Sequence, residues 1–154
     1  MLDSPAPALT RSPDAQDGSG RSEAGSGDSG FCVLAIEDNR ANLRILRRWM
    51  NRSGVTLHTA TDGIAGLSDA LRLQPDVILL DMGLPLMDGW EVARRLRADE
   101  AGKDLFIIAV TAHASEQDQR RCFESGCDLF FSKPIDFRGL CKVILSRVQD
   151  SVSS

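Results

Sequence analysis

The segment Asp76-Val77-Ile78-Leu79-Leu80-Asp81-Met82-Gly83-Leu84-Pro85-Leu86-Met87-Asp88-Gly89 decides the fold of this chain. Its first half is an apolar run of the kind that forms a strand buried on both faces of a sheet. The run stops at the carboxylate of Asp81, and a loop rich in glycine and proline follows. A buried strand therefore carries one acid to the edge of a sheet, where loops and ligands meet in α/β proteins.

Strand-like and helix-like segments alternate five times from Phe31 onward. The predicted strands are short and apolar, and they cover residues 31–36, 55–60, 77–80, 105–110 and 128–132. A helical pattern follows each strand; in the second helix, for example, Ile64, Leu67 and Leu71 share one face. Five such units predict right-handed crossovers and a parallel sheet covered by helices on both faces.

The composition is that of a globular domain with a substantial core. The chain has 154 residues, of which 42% are apolar and 26% charged. A net charge of −4 argues against direct binding of nucleic acid, and no apolar run approaches the roughly 20 residues of a membrane span. The four cysteines lack C-x-x-C spacing, and the N-terminus lacks a signal-peptide pattern. We therefore predict reduced thiols and a cytoplasmic location.

Residues 1–30 differ in composition from the rest of the chain. Gly, Ser and Pro fill 14 of these 30 positions, and acids outnumber bases 5 to 2. Such a segment buries too little apolar surface to offset the entropy that ordering would cost. We predict a disordered tail or linker over residues 1–30, one folded domain over 31–150 and a short tail over 151–154.

Arginine residues cluster on two of the predicted helices. One group comprises Arg44, Arg47 and Arg48, and the other comprises Arg94, Arg95 and Arg97. Both groups are typical of solvated helix faces, parts of which contact a partner in some proteins.

Polar side chains stand where four of the predicted strands end. Glu37 and Asp38 follow the first strand, Asp81 the third, Thr111 the fourth and Lys133 the fifth. The carboxyl ends of parallel strands meet at one edge, so we expect these groups to converge. Three adjacent carboxylates repel one another unless a cation lies among them, and hard oxygen donors suit Mg²⁺. A carboxylate placed there can attack phosphorus while the lysine and hydroxyl hold phosphoryl oxygens. We therefore interpret Asp81 as a phosphoacceptor.

These motifs resemble those of receiver domains from two-component response regulators. The resemblance spans residues 31–149 and rests on Glu37-Asp38, Asp81 in Leu-Leu-Asp-Met-Gly-Leu-Pro-Leu-Met-Asp-Gly, Thr111 in Val-Thr-Ala, and Lys133-Pro134 in Ser-Lys-Pro-Ile. It implies a flavodoxin-like, doubly wound parallel sheet of five strands in the order 2-1-3-4-5, with five helices.

The resemblance also implies a set of site residues. Asp81 would accept a phosphoryl group from a histidine kinase or a histidine phosphotransfer protein. Mg²⁺ would be bound by Glu37, Asp38, Asp81 and the backbone carbonyl of Gly83. Thr111 and Lys133 would contact the phosphoryl group. Such a domain catalyses only its own phosphorylation and dephosphorylation, so the chain would not be a conventional enzyme.

The resemblance also implies a conformational switch that responds to phosphorylation. Phosphorylation would draw Thr111 inward and let Phe130 turn into the vacated space. This movement would remodel the face formed by the fourth helix, the fifth strand and the fifth helix, where a downstream protein would dock or from which a relay would proceed. The family also implies a cis peptide bond between Lys133 and Pro134.

Two positions depart from the commonest family pattern. The aromatic switch residue is often tyrosine, but this chain has no tyrosine, and Phe130 offers no hydroxyl to a partner. The residues two positions after Asp81 and Thr111 are Gly83 and His113. Family members tune phosphoryl lifetime through these side chains, and this pair does not predict a lifetime.

Two other functions fit parts of the pattern. Haloacid-dehalogenase-type phosphohydrolases also use an aspartate at a strand end, but their second aspartate, two residues later, is Gly83 here. A pseudo-receiver would bind partners without phosphorylation, but such proteins usually lose an acid or the lysine, which this chain retains. The Glu-Asp-Asn-Arg-Ala-Asn segment over residues 37–42 resembles both free-standing receivers and those of hybrid sensor kinases. The sequence is therefore compatible with a free-standing receiver and with the receiver of a hybrid sensor kinase.

Overall fold

Five parallel strands alternate with five helices along the chain. The computed structural model describes residues 30–153, so the predicted disorder of the first 29 residues lies outside the described part. The strands are β1 (Cys32–Ile36), β2 (Thr56–Ala60), β3 (Val77–Asp81), β4 (Ile107–Thr111) and β5 (Leu129–Ser132). The helices are α1 (Arg40–Ser53), α2 (Gly63–Leu73), α3 (Gly89–Ala98), α4 (Glu116–Glu124) and α5 (Phe137–Ser153). The strands form one sheet in the order β2-β1-β3-β4-β5, which confirms the predicted flavodoxin-like fold.

The sheet order places Asp81 near the point where the winding direction changes. β1 pairs with both β2 and β3, and β3 pairs on its other side with β4. Every residue of β3 and β4 is buried, as their continuous apolar sequences predict. The carboxyl ends of β1 and β3 therefore lie side by side, and this is where ligands bind in open α/β sheets.

Two hydrophobic cores lie on opposite faces of the sheet. Alternate residues of β1 point to opposite faces, so Leu34 and Ile36 join one core while Val33 and Ala35 join the other. The first core includes buried side chains of α2, α3 and α4. The second includes buried side chains of α1 and α5. Among the described helices, none combines the length and the apolar content that crossing a membrane requires.

The element boundaries differ slightly from the predicted ones. β3 and β4 include Asp81 and Thr111, because the parallel ladder continues through the N–H of Met82 to the carbonyl of Val110 and the N–H of Lys133 to the carbonyl of Thr111. The two functional residues thus end the strands instead of following them. At the other end of the chain, α5 continues to Ser153, so residues 151–153 extend the helix where we expected a tail.

The second helix approaches the sheet through its small residues, and its predicted apolar face is only partly buried. Its buried residues are Gly63, Gly66 and Ala70. A Cβ atom on Gly66 would lie 2.6 Å from Cγ2 of Ile36, which shows how closely the helix approaches the sheet. Only small residues fit at this distance. Leu67 and Leu71 lie half-buried beside them and pack against the core, whereas Ile64 is 53% exposed.

The prediction of a solvated helix face was wrong for Arg97. Its guanidinium donates hydrogen bonds to backbone carbonyls in the α3–β4 and α4–β5 loops, at Gly102, Lys103, Leu105 and Gly126. It also pairs with Oδ2 of Asp128 at 2.9 Å. Arg94 and Arg95 do lie on an exposed face, where both pair with Glu91. Arg97 instead connects two loops by hydrogen bonds at the amino ends of the strands. Asp81 lies at the other end of the sheet.

None of the four cysteines is in a disulfide bond within residues 30–153, in agreement with the predicted reduced thiols. Cys122, Cys127 and Cys141 are buried, and burial is the main cause that raises the pKa of Cys127 to about 12 and those of the other two thiols to about 11. These three thiols are therefore protonated at neutral pH and unreactive as nucleophiles.

Candidate functional site

Three carboxylates meet at the carboxyl edge of the sheet. Glu37 directly follows β1, Asp38 is the next residue, and Asp81 is the last residue of β3. One carboxylate oxygen from each lies within 4.8 Å of the others. Glu37 and Asp81 are both 4% exposed, whereas Asp38 is exposed to solvent. The cluster is therefore half enclosed, with its open side at Asp38.

The side chain of Glu37 is held from the first turn of α1. The backbone N–H of Asn39 donates to Oε2 at 3.0 Å, and the side-chain amide of Asn42 donates to Oε1 at 3.2 Å. Asn39 is also the N-cap of α1 and accepts a hydrogen bond from the N–H of Asn42. Neither asparagine was predicted to take part in the site. The signal was present, because Asn39-x-x-Asn42 opens a helix directly after the acidic pair.

Asp81 is fixed through both of its carboxylate oxygens. The N–H of Gly83 donates to Oδ1 at 3.0 Å, and the ammonium of Lys133 lies 3.1 Å from Oδ2. The same ammonium lies 3.8 Å from Oε2 of Glu37. Lys133 directly follows β5, so the sheet brings a cation from its edge strand to carboxylates on β1 and β3.

Three carboxylates and one ammonium give the site an excess of negative charge. Burial raises the pKa of Glu37 above its usual value, and repulsion from Asp81 raises it further, whereas the N–H of Asn39 and the charge of Lys133 oppose the shift. A divalent cation would offset this excess. Ligands on opposite sides of a Mg²⁺ ion lie about 4.2 Å apart, twice the metal–oxygen distance, so oxygens within 4.8 Å of one another fit such an ion after small adjustments.

The other predicted site residues lie on β4 and β5. Thr111 ends β4, one residue after Val110, which is the strand partner of Asp81. Thr111 is 4% exposed, and its hydroxyl accepts a hydrogen bond from the N–H of His113 at 3.2 Å. The Lys133–Pro134 bond is cis. Phe130 lies farther back on β5, where its backbone partner is Ala109, and its half-buried ring packs against the core of α2, α3 and α4. The structure thus does not place Phe130 in the acidic cluster.

The loop that follows Asp81 is anchored to α2 and α3. The N–H of Gly63 donates to the carbonyl of Pro85 at 3.2 Å, and the N–H of Gly89 donates to the carbonyl of Met82 at 3.0 Å. Gly83 itself is exposed, and a Cβ atom there would meet only Oδ1 of Asp81, at 3.9 Å. The anchors fix the backbone of the loop, while the space beside Gly83 stays open to solvent.

Comparison with known proteins agrees with this geometry. Residues 33–145 match the family model of the response regulator receiver domain. The polar-differentiation response regulator DivK of Brucella ovis is 34% identical over 119 residues, which cover 77% of this chain and 97% of DivK. The transcriptional regulator RpaA of Synechocystis is 38% identical over 104 residues, 68% of this chain, and these span only 43% of RpaA.

Solved structures show the same fold. The receiver domain of the sensor histidine kinase PA1611 from Pseudomonas aeruginosa, which holds a magnesium ion in its active-site cleft, is 30% identical with a TM-score of 0.70, covering 77% of this chain and 98% of that domain. The receiver domain of Ssk1 from Saccharomyces cerevisiae, solved with the histidine phosphotransfer protein Ypd1, is 27% identical with a TM-score of 0.70, covering 74% and 86%. The chain therefore belongs to the response regulator receiver domain family.

Proposed function

We propose that this receiver domain accepts a phosphoryl group on Asp81 from a histidine kinase or a histidine phosphotransfer protein. One observation carries the proposal: the buried carboxylate of Asp81 lies between an ammonium group at 3.1 Å and two further carboxylates. This combination supplies a nucleophile, a phosphoryl-binding cation and a metal-binding pocket in one place. The binding of Ssk1 to Ypd1 supports the choice of donor.

The residues at the site fit Mg²⁺ as cofactor. Glu37, Asp38 and Asp81 would contribute carboxylate oxygens, and Gly83 would contribute its backbone carbonyl. When bound, the ion offsets negative charge on the carboxylates and on the incoming phosphoryl oxygens. The magnesium ion in the PA1611 receiver domain supports this assignment.

The transfer itself requires little from the protein beyond position and charge. An oxygen of Asp81 attacks the phosphorus of a phosphohistidine, the phosphorus–nitrogen bond breaks, and its electron pair returns to the imidazole nitrogen. The ammonium of Lys133 then pairs with a phosphoryl oxygen, and the hydroxyl of Thr111 donates to another. Hydrolysis of the resulting acyl phosphate restores Asp81.

The signal would leave through α4, β5 and α5. Thr111 would move towards the phosphoryl group, and Phe130 would turn into the vacated space. Two features support this route. Phe130 lies beside the small side chain of Ala109, and α4 buries a single residue, Cys122. A helix with so few buried contacts costs little to displace. A downstream protein would bind the remodelled face.

The proposal also covers the bounds of the domain, its location in the cell and the kind of protein that contains it. We propose a receiver domain over residues 31–150, preceded by a tail or linker over residues 1–30. A cytoplasmic location fits a partner kinase that consumes ATP. The chain is either a free-standing regulator or the receiver of a hybrid kinase, and the relatives include both kinds.

Incubation with acetyl phosphate and Mg²⁺ tests the proposed site. Mass spectrometry should show one added phosphoryl group, and Asp81→Ala should abolish it. Asp104→Ala is the matched control, because Asp104 is an exposed acid that plays no part in the site. Phosphorylation of the Asp81→Ala protein to the wild-type extent would refute the assignment.

A second measurement tests the switch. Amide resonances of α4, β5 and α5 should shift when wild-type protein is phosphorylated. In Thr111→Ala the phosphoryl group should still add to Asp81, but shifts in α4 and around Phe130 should be much smaller. Equal shifts in both proteins would contradict the proposed role of Thr111.

A further inference from the structure

Two of the buried cysteines lie at the C-terminal end of α4. Cys122 is the one buried residue of that helix, and Cys127, which is 5% exposed, follows the helix before β5 begins. Both side chains belong to the core that α2 and α3 share with α4. Cys141 lies in the core on the other face of the sheet. Cys122 and Cys127 therefore share one buried environment from which Cys141 is separated.

The backbone ends α4 in a Schellman motif that spans the two cysteines. The N–H of Cys127 donates to the carbonyl of Cys122 at 3.1 Å, and the N–H of Gly126 donates to the carbonyl of Phe123 at 3.0 Å. Gly126 supplies the left-handed conformation of the motif, with φ +108°. In this motif the first and last residues commonly bring their side chains into contact. Repulsion from a charge on Cys122 adds to burial in raising the pKa of Cys127, which agrees with neighbouring sulfur atoms.

The two cysteines belong to parts of the fold that are held to very different degrees. The carbonyl before Cys127 accepts from the guanidinium of Arg97, and the N–H after it donates to the carbonyl of Ile107, both at 2.8 Å. Cys127 is thus fixed to the sheet. Cys122 lies on α4, whose other residues are exposed or half-buried. A bond between the two sulfur atoms would therefore join a weakly held helix to the sheet.

The position of α4 controls whether an oxidant reaches these thiols. While the helix is in place, both thiols are buried and protonated. A helix with few buried contacts opens at a small cost in free energy. Opening moves Cys122 into water, where its pKa returns towards the ordinary value and the thiolate becomes available. When the helix closes again, the Schellman motif returns Cys122 to Cys127.

We propose that Cys122 and Cys127 form a reversible disulfide that fastens α4 to the sheet when the protein meets hydrogen peroxide. The sulfur of Cys122 attacks one peroxide oxygen, the oxygen–oxygen bond breaks, and a sulfenic acid and one water are formed. The sulfur of Cys127 then attacks the sulfur of Cys122, and its proton leaves with the hydroxyl as a second water. Two thiols are oxidised to one disulfide, and one peroxide is reduced to two waters. A dithiol reductant reverses the step by exchange.

The disulfide would act on the proposed switch, and this consequence rests on the proposed function. Phosphorylation of Asp81 would displace α4, and a helix fastened to the sheet resists displacement. The amide shifts that phosphorylation causes in α4 should therefore be smaller in the oxidised protein. Conversely, displacement of α4 exposes Cys122, so the phosphorylated protein should form the disulfide severalfold faster than the unphosphorylated protein.

Peptide mapping after treatment of the whole chain with hydrogen peroxide tests the pair directly. Trypsin leaves both cysteines in one peptide, residues 122–138, because Lys133 precedes a proline and is not cleaved. After alkylation without reduction, this peptide should carry no alkyl group and be lighter than the reduced peptide by two hydrogen atoms. Dithiothreitol should restore both thiols. Unchanged thiols, a sulfinic acid on either residue, or a bond to another cysteine would overturn the proposal.

Single variants test the order of the two steps. In Cys127→Ala the sulfenic acid on Cys122 has no partner, so dimedone should trap it. In Cys122→Ala the thiol of Cys127 stays buried, and little trapping should occur. Cys141→Ala is the matched control, since it removes an equally buried thiol from the other core and should leave the disulfide yield unchanged. Equal trapping in the first two variants would overturn the proposed route; urea unfolding checks that all three fold.

Labelling by acetyl phosphate separates this proposal from the proposed function. If the disulfide forms at the same rate whether or not Asp81 is phosphorylated, the thiol pair stands and the displacement of α4 is wrong. If Asp81 is labelled but neither form of the protein gives the disulfide, the phosphoacceptor stands and the thiol pair is wrong. The peptide map of the wild-type protein decides this even where a variant does not fold.

Discussion

The ammonium nitrogen of Lys133 lies 3.1 Å from Oδ2 of Asp81. Asp81 ends β3 and Lys133 directly follows β5, and β4 lies between these two strands in the sheet. The two side chains therefore meet because parallel strands end at the same edge of the sheet. Both charges are largely withdrawn from water, since Asp81 is 4% exposed and the Lys133 side chain 27%. This ion pair holds the nucleophile in place and supplies the cation that a phosphoryl group needs.

Replacing Lys133 should slow phosphorylation more than it disturbs the fold. Lys133→Met removes a charge that stabilises the phosphoryl oxygens in the transition state, and we expect labelling by acetyl phosphate to slow about 100-fold. Lys103→Met is the control, because Lys103 pairs with Glu100 in an exposed turn. A Lys133→Met protein labelled at the wild-type rate would show that the ammonium takes no part in transfer.

In the absence of metal, the raised pKa of Glu37 should be visible in the pH dependence of the free energy of unfolding. Its pKa is raised in the folded protein, chiefly by burial, so the folded chain binds this proton more tightly than the unfolded chain does. Glu37 therefore lowers stability as pH rises from its ordinary pKa near 4.5 through the raised value. Urea unfolding in EDTA should show this decline in wild-type protein. In Glu37→Gln the decline should be smaller, whereas Glu116→Gln, at an exposed position, should leave it unchanged.

Protons and Mg²⁺ should compete for the same carboxylates. A metal ion that needs Glu37 ionised releases its proton on binding, so the rise in melting temperature caused by Mg²⁺ should be smaller at pH 5 than at pH 7.5. Thermal unfolding with and without Mg²⁺ at both pH values measures the difference. An equal rise at both would mean that Glu37 does not bind the ion.

Asn42 should contribute to Mg²⁺ affinity without touching the ion. Its side-chain amide donates to Oε1 of Glu37 at 3.2 Å and so fixes the orientation of that carboxylate. Removing a group that orients a ligand typically weakens metal binding 10- to 100-fold, and we expect about tenfold for Asn42→Ala by calorimetry. Asn51→Ala, an exposed change on the same helix, should have no effect on the dissociation constant.

Arg97 should contribute to the stability of the fold and take no part in phosphorylation of Asp81. Arg97→Met leaves four backbone carbonyls and Asp128 without their guanidinium donor, and we expect a loss of about 2–3 kcal/mol in the free energy of unfolding. Arg94→Met should change the free energy by less than about 0.5 kcal/mol, because its ion pair is exposed. Urea denaturation compares the two; equal losses would refute the structural role of Arg97.

Two glycines near the site should differ strongly in how much stability is lost when each is replaced by alanine. A Cβ atom on Gly63 would lie 1.8 Å from the backbone oxygen of Met87, so Gly63→Ala must displace the loop after Asp81 and should cost about 2 kcal/mol or more. Gly83→Ala meets nothing closer than 3.9 Å and should cost less than about 0.5 kcal/mol. Thermal or urea unfolding of both proteins checks the contrast.

The order of the elements and the acidic cluster at the edge of the sheet could be predicted from the sequence alone. Short apolar runs predicted the strands, and because parallel strands end at one edge, the order of residues alone predicted that Glu37, Asp81, Thr111 and Lys133 meet there. Periodicity and strand ends are local properties, which a single sequence records directly. The same local signals led to the receiver family, which the comparisons confirm.

How individual side chains are used depends on the assembled fold. The periodicity of α2 marks Ile64 as apolar, but the close approach of Gly66 to Ile36 decides that Ile64 stays exposed. Three neighbouring arginines on α3 look alike in sequence, but only Arg97 faces two loops that have carbonyls to satisfy. These outcomes depend on the distances between elements far apart in the chain, and close packing sets those distances only after all the elements are assembled.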